Sequence, residues 1–520
     1  MTGRRNATGW IGWDHGRRVR QILISGALVL MAGCLSVPLD LPKARTTAIT
    51  DNTDTEFGQL AQGWAVINGD ASGFYPLVNG IDALGARLEM VARAEATIDL
   101  QYFLMKGDTS GALLADALWK AAERGVRVRF LLDDVFTSAP DSGLHALDSH
   151  PNIEVRLFNP ISRRGLHTLN FLGHFRRANR RMHNKSFTVD NAIGIVGGRN
   201  IADEYFALRD DAVFADFDVL AFGPVIRDVS ASFDAYWNHE LAVPIDQLLS
   251  EREKAEARKR LGSWQRPPEL LAIYHRARDA ALVRQLASGD TKMYVAKARV
   301  ISDDPDKLER RVSKDNRPLI TDLGQLLVAA EDELVFITPY YVPGKDGLQF
   351  VRDRVDSGVR VRVLTNSLAS NNHIPVHSAY ASYRRRVLDA GVELYEARAD
   401  AGKTTAGPDA PSALTMHTKL IIIDRRYVFV GSLNLDPRSI DINAEMGLLI
   451  DAPELATRIV DGLNAALPET SYRVVARDGR FMEWHTEIDG ETVVEHNEPL
   501  SSRWRRFKAW VLRIAPESQL

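Results

Sequence analysis

His183-Asn184-Lys185-Ser186-Phe187-Thr188-Val189-Asp190, with Gly197-Gly198-Arg199-Asn200 shortly after it, returns in the second half of the chain as His417-Thr418-Lys419-Leu420-Ile421-Ile422-Ile423-Asp424 with Gly431-Ser432-Leu433-Asn434. Each paired His, Lys, Asp, first Gly and Asn is displaced by the same 234 residues. His and Lys two apart on a strand project from one face, because strand side chains alternate with period two, so both can meet one substrate. The apolar residues between Lys and Asp suit a buried strand, and the Asp falls where that strand turns. Small residues in the following segment let backbone approach closely, and Asn200, Ser432 and Asn434 can donate hydrogen bonds to phosphate oxygens. With the positive charge of Lys185 and Lys419, the sum is an anion site carrying two imidazoles. A lone His-x-Lys is an ordinary surface strand; the full set twice at fixed spacing is not.

The duplication extends outward from the motif. Gly125-Val126-Arg127-Val128-Arg129 follows a β-branched and aromatic run at 96–103 and a helix-like segment at 111–124. Gly358-Val359-Arg360-Val361-Arg362 follows a strand-like run at 333–341 and a helix-like segment at 347–356. Strand, helix and strand in this order predict βαβ crossovers with parallel strands, and the period is far too long for a solenoid. The expectation is an α/β protein of two similar domains, 61–247 and 296–470. Each is a mixed, largely parallel sheet flanked by helices, and together they form one pseudo-twofold active site. A charged segment opens a helical connector, 248–295. Asp478-Gly479 and Asp489-Gly490 are hairpin turn signals, which predict a small antiparallel appendage over 471–500. Residues 501–520 read as a basic amphipathic helix, with Trp504, Phe507, Val511 and Ile514 at helical spacing and Arg505, Arg506, Lys508 and Arg513 on other faces. Such a helix lies in a membrane interface, or docks on the protein with its basic face in water.

Composition bounds the partners. The 65 basic and 68 acidic side chains nearly cancel, which argues against a surface built to neutralise a nucleic-acid backbone. Cys34 is the one cysteine, so no intrachain disulfide or cysteine-based metal cluster can form. It ends an apolar run starting at Ile22, preceded by Arg17, Arg18 and Arg20. That is the layout of a signal peptide, 1–33, shorter than the about 20 apolar residues a membrane span needs. A polar tether, 34–60, is expected to follow. The alternative is a buried N-terminal helix with an inert cysteine. Leu30-Met31-Ala32-Gly33-Cys34 resembles a bacterial lipobox, which implies lipidation of Cys34 and a membrane-associated place in the bacterial cell envelope.

The paired motifs resemble the two HxKxxxxD signatures of the phospholipase D superfamily, completed by GGxN and GSxN, over about 98–450. Ser149-His150-Pro151, Leu157-Phe158-Asn159-Pro160, Leu364-Thr365-Asn366-Ser367-Leu368 and Asp436-Pro437-Arg438-Ser439 extend the resemblance to bacterial cardiolipin synthases of the synthase C subgroup. The resemblance implies a catalytic set of His183, Lys185, Asp190, His417, Lys419 and Asp424. In that set His183 forms a covalent phosphatidyl-histidine, while His417 protonates the leaving alcohol and later deprotonates the incoming one. Sequence symmetry alone does not assign these two roles. The resemblance further implies that Asp216 and Glu445 hold the histidines in their productive tautomers, with Asn200, Ser432 and Asn434 supporting the phosphate. Asp190 and Asp424 read as supports of the fold and of the lysine positions. No metal or other cofactor is implied. Arg163, Arg164, Arg176, Arg177, Arg180 and Arg181 either gather anionic headgroups or form a solvated basic loop. The implied partners are a membrane surface and phospholipid substrates, phosphatidylglycerol with phosphatidylethanolamine as a candidate donor, and no nucleic acid. A phosphodiester hydrolase releasing phosphatidic acid, a nuclease of the same superfamily and a non-enzymatic envelope scaffold are the competing readings.

Overall fold

The computed structural model describes residues 39, 41–161, 175–209, 211, 213–263, 268–280, 284–285, 292–310, 313, 316–402, 413–477 and 481–514. The signal-peptide segment, Cys34, Arg163, Arg164, the Arg176 side chain and the Asp478-Gly479 turn lie outside the described residues.

Both copies of Gly-Val-Arg-Val-Arg do the same local work. Helices Thr109–Glu123 and Gly344–Asp356 end at Gly125 and Gly358, whose φ of 97° and 94° belong to the left-handed region where glycine is favoured. The chain then enters strands Arg127–Asp133 and Arg360–Asn366. In the first half Thr97–Tyr102, Arg127–Asp133 and Ile153–Phe158 pair in parallel; in the second, Glu333–Ile337, Arg360–Asn366 and Glu393–Ala397 do so.

The other pairings of each sheet are antiparallel, which corrects the expectation of a largely parallel sheet. The motif itself causes this. Ser186–Val189 turns back into Ile193–Gly197, and Leu420–Ile423 into Tyr427–Gly431, through tight turns. Asp190 and Asn191 (φ 49° and 47°) and Asp424 and Arg425 (φ 50° and 48°) occupy these three-residue loops in left-handed conformations, the φ pattern of a type I′ turn closed by Ala192 N to Val189 O and Arg426 N to Ile423 O. The motif strand pairs antiparallel with the first parallel strand on its other side, Ile98 opposite Val189 and Leu334 opposite Ile423.

Strands Ser72–Leu77 and Tyr294–Ser302 occupy matching places in the two sheets and pair with each other, Gly73 opposite Val295. The halves therefore share one continuous sheet. A buried apolar cluster bridges them, with Phe74, Val196, Val219 and Ala221 from the first half and Val335, Ile422, Val430 and Ile450 from the second. Fully burying each branched or aromatic side chain there contributes about 1.5–3 kcal/mol.

The expected tether is a packed strap from residue 41 onward. Lys43 Nζ donates to the carbonyls of His239, Glu240 and Ala242. Arg127, Arg129 and Arg156 donate to the carbonyls of Thr47, Thr46 and Ala44, and Asn52 Nδ2 donates to the Asp190 carbonyl. Helix Glu56–Asn68 then starts inside the segment assigned to the tether. The appendage is also no separate unit. Ser471–Ala476 pairs antiparallel with Glu393–Ala397, and Met482–Ile488 and Glu491–Glu495 continue the same sheet. Within the connector, helix Pro268–Arg278 is fastened to the first half by the Arg278–Glu89 ion pair. Among the described residues no helix is long and apolar enough to cross a membrane.

Candidate active site

Each histidine is positioned by the half to which it does not belong. Met182 bridges in parallel to Ala444, so that His183 N donates to Ala444 O at 2.8 Å and Ala444 N to Arg181 O at 3.0 Å. The strand Leu414–Met416 pairs in parallel with Val213–Ala215, and His417 N donates to Ala215 O at 2.7 Å. The residues following Ala444 and Ala215 are Glu445 and Asp216. Their carboxylates consequently cross over: His183 Nδ1 lies 2.8 Å from Glu445 Oε2, and His417 Nδ1 lies 2.7 Å from Asp216 Oδ2. With Nδ1–H donated to a carboxylate, Nε2 of each ring carries the free lone pair.

The lysines lie beside the rings. Lys185 Nζ donates to His183 O at 2.6 Å and Lys419 Nζ to His417 O at 2.5 Å, and Lys419 Nζ is 2.9 Å from His417 Nδ1 and 3.2 Å from Nε2. Lys185 and Lys419 retain only 2% and 1% of their surface, so both cations carry a heavy desolvation cost. Burial first, and then the neighbouring positive charge, lower His183 well below its ordinary value. Burial, followed by Lys419, lowers His417 to about 3. Burial brings Lys185 down to about 7 and Lys419 to about 8, against the raising influence of Glu445 and Asp216. Both imidazoles thus rest neutral, chiefly because burial disfavours their charged forms. A bound anion would raise the proton affinity of all four groups.

Aromatic rings complete the walls. Phe103 meets His183 edge-on at 4.7 Å, with Lys185 Nζ 5.3 Å from its centroid. Phe214 stacks on His417 at 5.4 Å, and Tyr205 approaches the same ring edge-on at 5.2 Å. Asn200 Nδ2 donates to the Tyr205 hydroxyl at 3.0 Å, so this asparagine is already engaged. Asn434 Oδ1 is buried with no hydrogen-bond partner among the described residues, leaving that side chain better placed to meet a ligand. Ser432 Oγ donates to Glu445 Oε2 at 2.5 Å, and Ser439 Oγ donates to Oε1 of the same carboxylate. Burial pushes the Glu445 carboxyl up to about 7 against these donors. Arg199 fixes Asp216 differently, donating to its carbonyl at 2.7 Å.

The signature aspartates lie away from this chemistry. Asp190 accepts from the main-chain N–H groups of Glu95, Ala96 and Thr97, and Asp424 from those of Glu331, Asp332 and Glu333. They join the turn of the motif hairpin to the start of the first parallel strand, contact backbone rather than lysine, and form no part of the reacting centre. Nor do the described arginines ahead of His183 gather at an open mouth. Arg181 pairs with Asp133 at 3.1 Å inside the core, Arg180 donates to Leu308 O at 2.9 Å, and Arg177 donates to Asn159 Oδ1 at 3.1 Å.

Phe103, Tyr205, Phe214 and Ser439 were not legible as site residues. The rings occupy positions that the duplication does not repeat, and Ser439 stood only inside the phrase Asp436-Pro437-Arg438-Ser439. Among the described residues a cluster with metal-site spacing, His239, Asp306 and Glu309, lies apart from the paired histidines. There Nδ1 of His239 accepts from Leu241 N at 3.3 Å, which leaves Nε2–H as a donor toward Asp306 rather than a ligand.

The family described as cardiolipin synthase, phospholipase D-like domain, matches residues 88–237 and 323–466. Cardiolipin synthase C of Escherichia coli is 38% identical over 451 residues, covering 85% of this chain and 95% of that protein. An uncharacterized protein of Helicobacter pylori is 30% identical over 494 residues, covering 94% of this chain and 97% of its own length. Among solved structures, phosphatidylserine synthase of Haemophilus influenzae superposes with a TM-score of 0.52 at 15% identity over 79% of this chain and 91% of that one, a likeness of fold. The two matched segments each carry one of the motifs whose histidines exchange carboxylates across the site, and together they place this chain in the phospholipase D-like family of cardiolipin synthases.

Proposed function

We propose that this phospholipase D-superfamily phosphatidyltransferase makes cardiolipin by transferring a phosphatidyl group to phosphatidylglycerol from a second phospholipid, with phosphatidylethanolamine as a candidate donor. The observation that carries the reading is the pair of buried imidazoles, each oriented through Nδ1 by a carboxylate of the other half and each flanked by a lysine. With the substrate anion bound, His417 takes up a proton on Nε2; His183 Nε2 then attacks phosphorus and the donor alcohol leaves, taking that proton from His417. The acceptor hydroxyl then gives its proton to His417 as its oxygen attacks phosphorus, and the bond to His183 breaks. Lys185 and Lys419 hold the phosphoryl oxygens through both steps. Asp216 raises the proton affinity of His417 by charge and by hydrogen bond, which favours that ring as the acid.

The hydrolase reading differs only in the acceptor, since water and a lipid alcohol take the same place. Bilayer residence favours the alcohol, which is concentrated where the donor is. We place the protein in the bacterial cell envelope, held by an acylated Cys34; mass spectrometry of membrane-extracted protein should find that residue lipidated at the mature N-terminus. For the reaction, vesicles of phosphatidylglycerol and phosphatidylethanolamine should yield cardiolipin with the unmodified chain and none with His183→Ala. Phosphatidic acid as the dominant product, with no cardiolipin at any phosphatidylglycerol fraction, overturns the transfer reading in favour of hydrolysis.

A further inference from the structure

The C-terminal helix, Arg503–Val511, is seated on the protein by its less apolar side. Arg505 donates from Nε to Leu368 O at 2.9 Å and from Nη2 to Asn371 O at 2.5 Å, and Ala509 is buried. The large rings point the other way. Trp504, Phe507, Trp510 and Val511 are 62%, 50%, 63% and 40% exposed. The rings pack on one another, Trp504 with Phe507 at 5.5 Å and Phe507 with Trp510 at 6.1 Å. Docking as an ordinary terminal helix would bury these side chains; the fold instead holds them out as a contiguous patch, the arrangement that marks an interaction surface.

We infer that this helix is a bilayer-insertion element that seats the active-site rim on a membrane containing anionic phospholipid. Arg503, Arg506, Lys508 and Arg513 are interleaved with the aromatic residues along this segment, with Lys508 Nζ 5.2 Å from the Trp504 ring centroid, and no acidic residue occurs between Ser501 and Ile514. Aromatic rings at the headgroup level interleaved with cations match a lipid surface of negative charge. A second copy of the same helix fits poorly, because it would set two basic segments against each other. The seat gives the contact a direction. Leu368 and Asn371 follow Asn366, whose side chain brackets Met416 at 2.7 Å and 3.0 Å, the residue before His417. Asn372, next to Asn371, accepts from the Tyr340 hydroxyl at 2.7 Å. Insertion of the helix therefore sets the loop bordering His417 against the bilayer from which lipid enters. The inference rests on phospholipid as the substrate class and adds the element that meets the membrane.

The test uses the full chain on phosphatidylglycerol–phosphatidylethanolamine vesicles whose acyl chains carry bromine. Tryptophan fluorescence should be quenched, and Trp504→Phe/Trp510→Phe should abolish most of that quenching while the other tryptophans still report a folded chain. Trp504→Ser/Phe507→Ser/Trp510→Ser should lower turnover on vesicles about tenfold and leave turnover on monomeric short-chain phosphatidylglycerol unchanged. Equal quenching in the unmodified chain and the tryptophan double variant overturns the inference. So does an equal loss on both substrates, which makes the helix a prop of the fold, or a patch that proves to be shielded by a second copy or another protein on the vesicle. Quenching needs no turnover, so a chain that inserts yet releases only phosphatidic acid refutes the proposed acceptor and leaves the insertion element standing.

Discussion

The two halves repeat a strand order and a motif, but they support their exchanged carboxylates in different ways. Asp216 is short, and it reaches His417 past Gly198, where an added Cβ would stand 2.2 Å from its Oδ1. Glu445 is longer by one methylene; the matching position is Ser432, and the carboxylate spans the hydroxyls of Ser432 and Ser439. One imidazole therefore faces a carboxylate whose charge helps it carry a proton. The other faces an acid that burial has pushed up to about 7, near its own titration point at neutrality. Duplication supplied the shared geometry, and divergence in the residues behind it separates the two rings.

The comparison breaks most sharply at the histidines. His183→Ala and His417→Ala should each cost about a thousandfold or more in turnover, because a single centre needs both nucleophile and acid. With a donor bearing a leaving group that departs without protonation, His417→Ala should still trap a covalent phosphatidyl-enzyme and His183→Ala should not. The reverse result exchanges the roles of the halves.

Next come the carboxylates. Asp216→Asn should cost about a hundredfold and Glu445→Gln about tenfold, since glutamine resembles the protonated acid already accessible near pH 7. Gly198→Ala should fall with Asp216→Asn, because the methyl group displaces that carboxylate. Equal losses for the two carboxamide variants would make the halves equivalent in their support as well as in their motif.

A subtler contrast is between activity and stability at the lysines. Lys185→Met should lose activity yet unfold at a higher temperature at pH 7. Its folded-state value of about 7 lies below the ordinary 10.5, so the unfolded chain binds more protons between those limits. The penalty is full below about pH 7, shrinks as pH rises and is gone above 10.5, so the gain in melting temperature should fade by pH 10. A gain that does not fade places the effect in packing rather than charge. The smallest expected effect is Ser439→Ala, a few-fold loss read in the pH profile as a further rise of the Glu445 limb, because a donor to the carboxylate is gone.

How much was legible in the sequence follows from what repeats. The motif residues recur at one displacement, and the phrase around Val128 recurs around Val361, so the two α/β halves and their shared site could be read directly. The exchange of Asp216 and Glu445 could not. Asp216 lies sixteen residues after Asn200 and Glu445 eleven after Asn434, and the intervening routes differ, with a 3₁₀ turn Asp203–Tyr205 in one and a π turn Arg438–Ile442 in the other. The strap was misread because its hydrogen bonds come from Arg127, Arg129 and Arg156, far away in the chain, onto a main chain with no periodic pattern of its own. The parallel content was overstated because βαβ crossovers are conspicuous, whereas a three-residue hairpin carrying the catalytic motif reverses the strand direction almost silently.

The exchanged carboxylates also govern when chemistry can begin. Glu445 follows His183 by 262 residues, so a growing polypeptide has made this histidine long before the carboxyl group that orients it. At a synthesis rate of roughly 5–20 residues per second, that gap lasts roughly 10–50 s. During it the His183 imidazole has no carboxylate to fix its tautomer and no second imidazole beside it. A chain that stops before Glu445 therefore lacks the complete paired site, which forms only when the segments carrying His417 and Glu445 pack on the first half.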